Sequence, residues 1–261
     1  MKGKTGTKTR LDILMVNKGL VKSRQRAKVL IMAGKVRIND FTVDKAGAMI
    51  PDDANIVVNT SDNPYVSRGG LKLEKALQTG QISVKDMTCL DIGASTGGFT
   101  DCLLQYGADR VYAVDVGYGQ LDWKLRQDKR VIVIERSNIR YLPFEAINEK
   151  VDIVVADTSF ISLKLVIPAA EKFMKKNALI LALIKPQFEA GKNNVGKGGV
   201  VRDPEIRQQV VQDIERFFTE RGYLVNFVIP SPIPGPKGNI EYMISSEKIN
   251  ATYYNGLIKK L

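Results

Sequence analysis

Most of the chain repeats one pattern, in which a short run of β-branched and other apolar residues is followed by a stretch with helical spacing. Three of the intervening helices are predicted over residues 98–106, 119–128 and 163–175. The predicted strands have the sequences TCLDIGAS, RVYAVDVG, RVIVIER, VDIVVADTS and ALILALIK. Strands that alternate with helices are typical of an α/β fold with a doubly wound, mostly parallel sheet.

The pattern changes after the fifth strand. A polar, glycine-rich loop leads to a predicted helix over residues 204–221, and two further apolar runs follow, LVNFVIP and IEYMISSEK. We expect these last two strands to extend the sheet to seven strands and to form an antiparallel edge.

Residues 1–60 alternate element types more quickly. Two segments have apolar residues at helical spacing, and Ser23 and Gly34 are suited to begin and end the second helix. Short strands follow in KVRIND and ANIVVNT, so the pattern predicts a small α+β domain. Residues 61–70, SDNPYVSRGG, have the polar, proline and glycine content of a linker. The larger domain is therefore predicted over residues 71–261.

Positive charge is concentrated in the small domain. The chain carries a net charge of +11, and residues 1–60 hold twelve Lys and Arg against five Asp and Glu. Such an excess favours a polyanionic partner, although a solubilising tail would also produce it. The candidate phosphate contacts on and beside the second helix are Arg10, Ser23, Arg24, Arg26 and Lys28.

Composition excludes several kinds of chemistry. The chain contains no histidine, which removes Ser-His-Asp triads and Cys-His pairs. Cys89 and Cys102 lie in apolar surroundings without metal-ligand spacing, as expected of reduced core thiols. No signal sequence and no apolar run of about 18 residues is visible, so we expect a soluble, cytoplasmic protein.

A glycine loop follows the first strand of the larger domain, in DIGASTGGFTD. An aspartate precedes the first glycine and the later glycines are paired, which favours a ligand with an ammonium group over a pyrophosphate. Asp115 ends the next strand, where a carboxylate can accept both hydroxyls of a ribose. Together these features indicate S-adenosylmethionine, although the glycines could simply form turns. The candidate cofactor contacts are Asp91, Gly93, Ser95, Gly97, Gly98, Phe99, Asp115, Asn138 and Asp157.

Two charged residues end the fourth and fifth strands of this domain. Asp157 and Lys185 should emerge at the same edge of the sheet as Gly93 and Asp115, because parallel strands share their carboxyl ends. On position alone, Lys185 could instead extend to solvent. Lys72 in SRGGLKLE and Glu241 in GNIEYM are the other charged residues expected near this cleft.

The small domain resembles the S-four-type (αL) RNA-binding domain over roughly residues 8–60. Lys72, Asp157, Lys185 and Glu241 match the Lys-Asp-Lys-Glu tetrad of FtsJ-class ribose 2'-O-methyltransferases. With the segments RGGLKL, ADTSFISL, LIKPQFEAG and GKGGVVRD, the whole chain resembles the TlyA/haemolysin A family. The residues that carry the S-four-type resemblance are Arg10-Leu11-Asp12, Ser23-Arg24, Ala27, Leu30-Ile31, Gly34, Val36 and Asn39.

The resemblance implies a Rossmann-like class I methyltransferase that uses S-adenosylmethionine to methylate the 2'-hydroxyl of cytidine in ribosomal RNA. It implies that the tetrad is catalytic, that no metal is required and that the protein acts on rRNA or ribosomal subunits as a monomer. Whether Lys185 is a base or an electrostatic stabiliser stays open. Lys192 and Lys197, in the polar loop after the fifth strand, are further candidate RNA contacts.

Three alternatives remain at this point. A membrane-active haemolysin would fit the family name, a non-catalytic RNA-binding or ribosome-assembly protein would fit the fold, and a nicotinamide-dependent enzyme would fit a glycine loop of another pattern. The sequence has no membrane-spanning segment, which disfavours the haemolysin. Its intact tetrad argues against a non-catalytic protein, and its glycine loop does not match the G-x-G-x-x-G pattern of nicotinamide-dependent enzymes.

Overall fold

The computed structural model describes residues 7–21, 23–32, 34–39, 41–58 and 63–248 of the chain. The chain divides into two units, residues 1–62 and 63–261. Residues 61 and 62 of the predicted linker and residues 249–261 of the predicted larger domain lie outside the described residues.

The first unit is a small α+β arrangement around its own apolar core. Ser23 accepts a hydrogen bond on Oγ from the Arg26 N–H at 3.2 Å, and Gly34, at φ +67°, follows the second helix, as the sequence predicts. Leu11, Met15 and Ile31 are fully buried between the helices and strands. The elements are β1 (Lys8–Arg10), α1 (Leu11–Asn17), α2 (Arg24–Met32), β2 (Val36–Ile38), β3 (Phe41–Thr42), β4 (Met49–Pro51) and β5 (Ile56–Val58).

These five short strands form two small sheets. β1 pairs with β4, and β2 lies between β3 and β5 in an antiparallel three-stranded sheet. The β1–β4 pair was not predicted, because three-residue strands carry too few apolar positions to show a period.

The second unit is built on one seven-stranded sheet. Its helices are α3 (Gly69–Gly80), α4 (Gly98–Gln105), α5 (Trp123–Arg126), α6 (Leu163–Ala170), α7 (Pro186–Glu189) and α8 (Pro204–Glu220). Its strands are β6 (Thr88–Ile92), β7 (Arg110–Val114), β8 (Val131–Ile134), β9 (Val151–Ala156), β10 (Met174–Ile184), β11 (Tyr223–Pro230) and β12 (Tyr242–Lys248). The sheet order is β11-β12-β10-β9-β6-β7-β8, which confirms the predicted Rossmann-like, mostly parallel sheet.

The last two strands pair antiparallel at one edge of the sheet, as predicted, but their order was not predicted. β12 runs antiparallel to both β10 and β11 and lies between them, so β11 is the edge strand and is parallel to β10. Only one strand is therefore antiparallel. The sequence could not show this, because the order in which strands pair depends on how the last connection folds back.

Both faces of the sheet are covered, which explains the continuous apolar runs. Along β9, Ile153 and Val155 face one core with α3 and α4, whereas Val154 and Ala156 face the other core with α6 and α8. Strands buried on both faces show little alternation of apolar and polar residues. Cys89 and Cys102 are free thiols within this buried interior, and burial raises the pKa of both.

Three predicted segments differ from the structure. Residues 63–70, predicted as linker, belong to the second unit, where Tyr65 is buried and α3 begins at Gly69. The helix predicted over 119–128 is reduced to Trp123–Arg126, capped by Asp122, because the preceding Gly119 adopts φ +71°. The helix predicted over 163–175 ends at Ala170, and a single 3-10 turn leads directly into β10.

Candidate active site

The glycine loop after β6 brings backbone into close contact at the carboxyl edge of the sheet. The N–H of Gly93 donates to the carbonyl of Val114 at 2.8 Å, and Gly93 has φ +84°. A Cβ at this position would lie 2.7 Å from the backbone oxygen of Asp157. Only glycine therefore allows β6 and β9 to continue into loops that lie against each other.

Asp115 is held in place after β7 by backbone N–H groups. Its Oδ2 accepts from the N–H of Ser95 at 2.7 Å and its Oδ1 from the N–H of Gly117 at 2.6 Å. The carboxylate lines a cavity of about 730 Å³ that Asn138 and Asp157 also line. Because one lone pair remains on each oxygen, the carboxylate can still accept two hydroxyl groups.

Asp91 lies beneath the glycine loop and is fully buried. Thr100 donates to its Oδ2 at 2.6 Å, but Oδ1 is buried without a hydrogen-bond partner among the described residues. Burial, supported by the nearby charge of Asp157, raises the pKa of Asp91 to about 7. An unpartnered carboxylate oxygen beneath the glycine loop fits a cofactor that carries an ammonium group above that loop.

The end of β10 forms the first charged pair of the site. Lys185 is 7% exposed, and its Nζ lies 2.5 Å from Asp157 Oδ1. The same Nζ donates to Ser159 Oγ at 3.0 Å. Lys185 does not extend to solvent, so that alternative is wrong. Instead its ammonium group is fixed at the wall of a second cavity, of about 530 Å³.

A second charged pair lies beside the same cavity. Lys72, in the first turn of α3, has its Nζ 2.6 Å from Glu241 Oε2, and both side chains are buried. Gln187 donates from Nε2 to the other carboxylate oxygen, Oε1, at 3.0 Å. Both oxygens of Glu241 are therefore occupied by donors, as a buried carboxylate requires.

Sheet register explains why three of the four charged residues lie at one edge, while Lys72 is supplied by α3. In the antiparallel pair of β10 and β12, Ile184 lies opposite Tyr242. The residue that follows Ile184 and the residue that precedes Tyr242 therefore lie at the same edge of the sheet. Those neighbours are Lys185 and Glu241. Asp157 reaches the edge through β9, where its N–H donates to the carbonyl of Ile92 at 3.0 Å.

The cofactor candidates divide into three groups. The first cavity is lined by Gly93, Ser95, Asp115, Asn138 and Asp157, and the second by Gly93, Ser95, Gly98, Phe99 and Asp157. Asp91 lies beneath the loop without lining either cavity. Gly97 lines neither cavity, because its face is covered by Leu125, whose Cδ1 would lie 2.2 Å from an added Cβ. Gly97, at φ +94°, is therefore a turn and packing residue before α4, and its contact with the cofactor stays a prediction.

In the first unit, Asp12 joins two of the predicted RNA-binding residues. Arg10 donates from Nε to Asp12 Oδ1 at 3.0 Å, and Arg24 donates from Nη2 to Oδ2 at 3.0 Å. The hydrogen bond from Arg10, with that from Arg24, lowers the pKa of Asp12 to about 2 despite burial of the carboxylate. Arg26 and Lys28 are exposed on α2. Asp12 thus fixes two guanidinium groups together while much of each stays accessible.

The two loop lysines have different surroundings. Lys192 lies in a 3-10 turn and lines a third cavity, of about 510 Å³, together with Phe160 and Phe188. Lys197 is exposed and lines none of these three cavities.

Three polar residues at the site were not predicted. Ser159 contacts Lys185, Gln187 contacts Glu241, and Asn239 donates to the carbonyl of Gly199 at 3.0 Å, which ties the glycine-rich loop to the segment before β12. Ser159 and Gln187 each lie two positions after a predicted catalytic residue, in the segments that leave the carboxyl edge of the sheet. Their position just after these residues was the signal in the sequence by which they could have been found.

A Rossmann-like sheet with one antiparallel strand next to its edge, a glycine loop after β6 and an acidic residue after β7 define a class I methyltransferase. The profile of the FtsJ-like methyltransferase family matches residues 65–248, and that of the S4 domain matches residues 9–54. The chain belongs to the FtsJ-like methyltransferases and, within them, to the TlyA/haemolysin A family. S-adenosylmethionine is the methyl donor of this family.

Three relatives illustrate the similarity. The chain is 50% identical over 238 residues to the 16S/23S rRNA (cytidine-2'-O)-methyltransferase TlyA of Mycobacterium tuberculosis, covering 91% of this chain and 89% of the relative. It is 44% identical to Hemolysin A of Brachyspira hyodysenteriae, covering 90% of this chain and 98% of the relative. A solved structure of a hemolysin-named protein from Streptococcus thermophilus has a TM-score of 0.74 at 45% identity, covering 94% of this chain and 90% of that chain.

In the part of the chain that the structure describes, no helix combines the length and the apolar character needed to cross a bilayer.

Proposed function

We propose that the protein transfers a methyl group from S-adenosylmethionine to the 2'-hydroxyl of a cytidine in ribosomal RNA. The observation that carries this proposal is the Lys185–Asp157 pair, which lies where the two larger cavities meet and share Gly93, Ser95 and Ser159. A cofactor in one cavity and a ribose in the other would then have their reacting groups next to the same ammonium group. The printed activity of the Mycobacterium tuberculosis relative supports the choice of cytidine and of rRNA.

The residues of the first cavity fit S-adenosylmethionine. Asp115 offers acceptors for the two ribose hydroxyls, and Asn138 lines the same cavity. Gly93 allows the backbone to approach the amino-acid part of the cofactor. Asp91 lies beneath the loop rather than in the cavity wall, so its unpartnered Oδ1 would act on the ammonium group through the loop. When bound, the cofactor supplies a methyl group already activated on a sulfonium.

The tetrad would prepare the acceptor hydroxyl. Alignment accounts for much of the rate of such a transfer, and removal of one proton accounts for much of the rest. Lys185, held by Asp157 and Ser159, is the group placed to accept that proton or to stabilise the developing alkoxide. The buried pair of Lys72 and Glu241, beside the same cavity as Lys185, would help to fix the ribose.

The first unit would bind the RNA. Arg10 and Arg24, fixed by Asp12, together with the exposed Arg26 and Lys28, present cationic donors suited to a phosphate backbone. We propose rRNA or ribosomal subunits as the partner, a monomer as the active form, and the cytoplasm, where ribosomes are assembled, as the location.

The two loop lysines, Lys192 and Lys197, are proposed as further phosphate contacts. Alanine at both positions should weaken RNA binding and reduce the slope of log affinity against log salt by about 2. An unchanged slope would remove these lysines from the RNA-binding surface.

Tritium transfer from labelled S-adenosylmethionine to unmodified ribosomal subunits tests the proposal. Wild type should label the RNA, and Lys185→Ala should lose at least about a hundredfold in rate while still binding cofactor in calorimetry. Lys175→Ala is the matched control, because Lys175 pairs with Asp152 and lies at the opposite end of β10. Absence of label with every subunit, or full activity of Lys185→Ala, would contradict the proposal.

A further inference from the structure

The third cavity shares two residues with the first cavity, and of its lining residues only Lys192 has a role in the steps above. Two phenylalanine rings form much of its wall, with centroids 5.0 Å apart and an angle of 48° between their planes. One of them, Phe160, has φ +63° and is 90% exposed, and the other, Phe188, is partly buried. Both also line the first cavity. A volume of about 510 Å³ beside exposed aromatic surface is suited to a planar heterocycle.

Gln187 also lines this cavity, and the orientation of its amide group is fixed by chemistry. Its Nε2 donates to Glu241 Oε1 at 3.0 Å, and the other carboxylate oxygen is held by Lys72. A carboxylate can only accept hydrogen bonds, so the amide nitrogen of Gln187 must face Glu241. The amide oxygen then points elsewhere.

That oxygen has no partner. Gln187 Oε1 is one of four buried side-chain oxygens without a hydrogen bond among the described residues. Rotation of the amide cannot relieve this, because it would place two acceptors, Gln187 Oε1 and Glu241 Oε1, against each other. The oxygen is covered in the free protein, so a ligand must displace its cover to reach it. Once reached, such an acceptor gains most from a ligand that brings an N–H donor.

We propose that Gln187 reads the base of the acceptor nucleotide, with its Oε1 accepting a hydrogen bond from an exocyclic amino group. The inference rests on the proposed function and adds a specificity-determining residue to it. Cytosine carries an amino group at C4, whereas uracil carries an oxygen there, which would meet Gln187 Oε1 as a second acceptor.

The arrangement also links base recognition to the reacting ribose. Gln187 lies two residues after Lys185, at the start of α7, and contacts Glu241 of the second charged pair. A base that engages Oε1 would hold the amide in the orientation that keeps Glu241 and Lys72 together. A uracil in the same position would leave the amide oxygen unpaired.

The test compares methyl transfer to two RNAs that carry either cytosine or uracil as the target base. The modified cytidine is first located in unmodified ribosomal subunits, and subunits are then reconstituted with cytidine or uridine at that position. Wild type should favour cytidine by tenfold or more in kcat/KM. Gln187→Leu keeps the apolar volume, removes the amide, and should reduce this preference to about threefold or less.

Two controls separate base recognition from other losses. Gln187→Leu also removes a donor from Glu241 and is expected to slow transfer to both RNAs, so the ratio between the RNAs carries the result. Lys192→Ala alters the same cavity without touching Glu241. As a proposed phosphate contact, Lys192 should affect transfer to both RNAs equally, so this variant should leave the ratio unchanged. Equal transfer to both RNAs by wild type, or an unchanged ratio in Gln187→Leu, would overturn the inference while leaving cytidine methylation intact. Absence of transfer to any RNA would overturn the proposed function itself and this inference with it.

Discussion

Removal of Lys72 should destabilise the second unit strongly, because it leaves a buried charge without its partner. The Glu241 side chain is fully buried, the Lys72 side chain is 9% exposed, and their charged atoms are 2.6 Å apart. In Lys72→Met, the carboxylate would keep only the neutral donor Gln187, at 3.0 Å. Breaking one partner of a buried pair costs about 3–5 kcal/mol. Such a loss is a large part of the stability of a typical domain.

A second variant separates the lost charge from the lost packing. Lys72→Met combined with Glu241→Gln removes both charges, so no uncompensated charge remains in the interior. We expect the double variant to be within about 2 kcal/mol of wild type, since replacing a whole buried pair is often close to neutral. Both variants should lack methyl transfer, because the ion pair is absent from each.

The assay is urea-induced unfolding of the full chain, followed by far-ultraviolet circular dichroism. Lys175→Met is the control, because it breaks a half-exposed pair with Asp152 and should cost less than about 1 kcal/mol. The reasoning would be refuted if Lys72→Met unfolded at the wild-type midpoint, or if the double variant were no more stable than the single one.

Three further predictions concern other residues. Asp91→Asn should remove a pH dependence of stability, because burial raises the pKa of Asp91 from its unfolded value near 4 to about 7. Wild type should therefore lose on the order of 2 kcal/mol of stability between pH 5 and pH 8. Urea unfolding at both pH values checks whether the variant loses less. Gly93→Ala should abolish measurable cofactor binding in calorimetry, because its Cβ would meet the Asp157 carbonyl, whereas Gly119→Ala, with similar positive φ but open space, should bind normally. Asp12→Asn should weaken RNA binding several-fold in filter assays with unchanged cofactor affinity, and an equal affinity of both proteins for RNA would show that fixed arginines are not required.

Local pattern was sufficient for most strands but not for their order. β6, β7 and β9 are short, mostly apolar runs that are followed by a charged or glycine residue, and each was predicted close to its observed position. The insertion of β12 between β10 and β11 was not predicted, because pairing between strands distant in sequence depends on packing of the whole sheet. Helix α5 was overestimated for a different reason, since Gly119 and the cap at Asp122 shorten it locally.

The charged residues of the candidate site were visible in the sequence, but most of their contacts were not. Each of Asp115, Asp157 and Lys185 follows a strand, so their common edge follows from parallel pairing alone. The pairing of Lys72 with Glu241, 169 positions later, required the antiparallel register of β12. Ser159 and Gln187 carry no pattern of their own and became visible only through their contacts.

The sequence by itself determined the α/β class, the basic N-terminal unit and the residue types available for chemistry, because these depend on local apolar period, charge and composition. The tertiary structure alone decided which carboxylate each lysine meets and which polar atoms are left unpaired. Gln187 Oε1 and Asp91 Oδ1 are examples: each is buried without a hydrogen-bond partner among the described residues, while the other polar atom of the same side chain is hydrogen-bonded. Such an arrangement depends on distances of a few ångströms between segments far apart in the chain, and no local pattern encodes it.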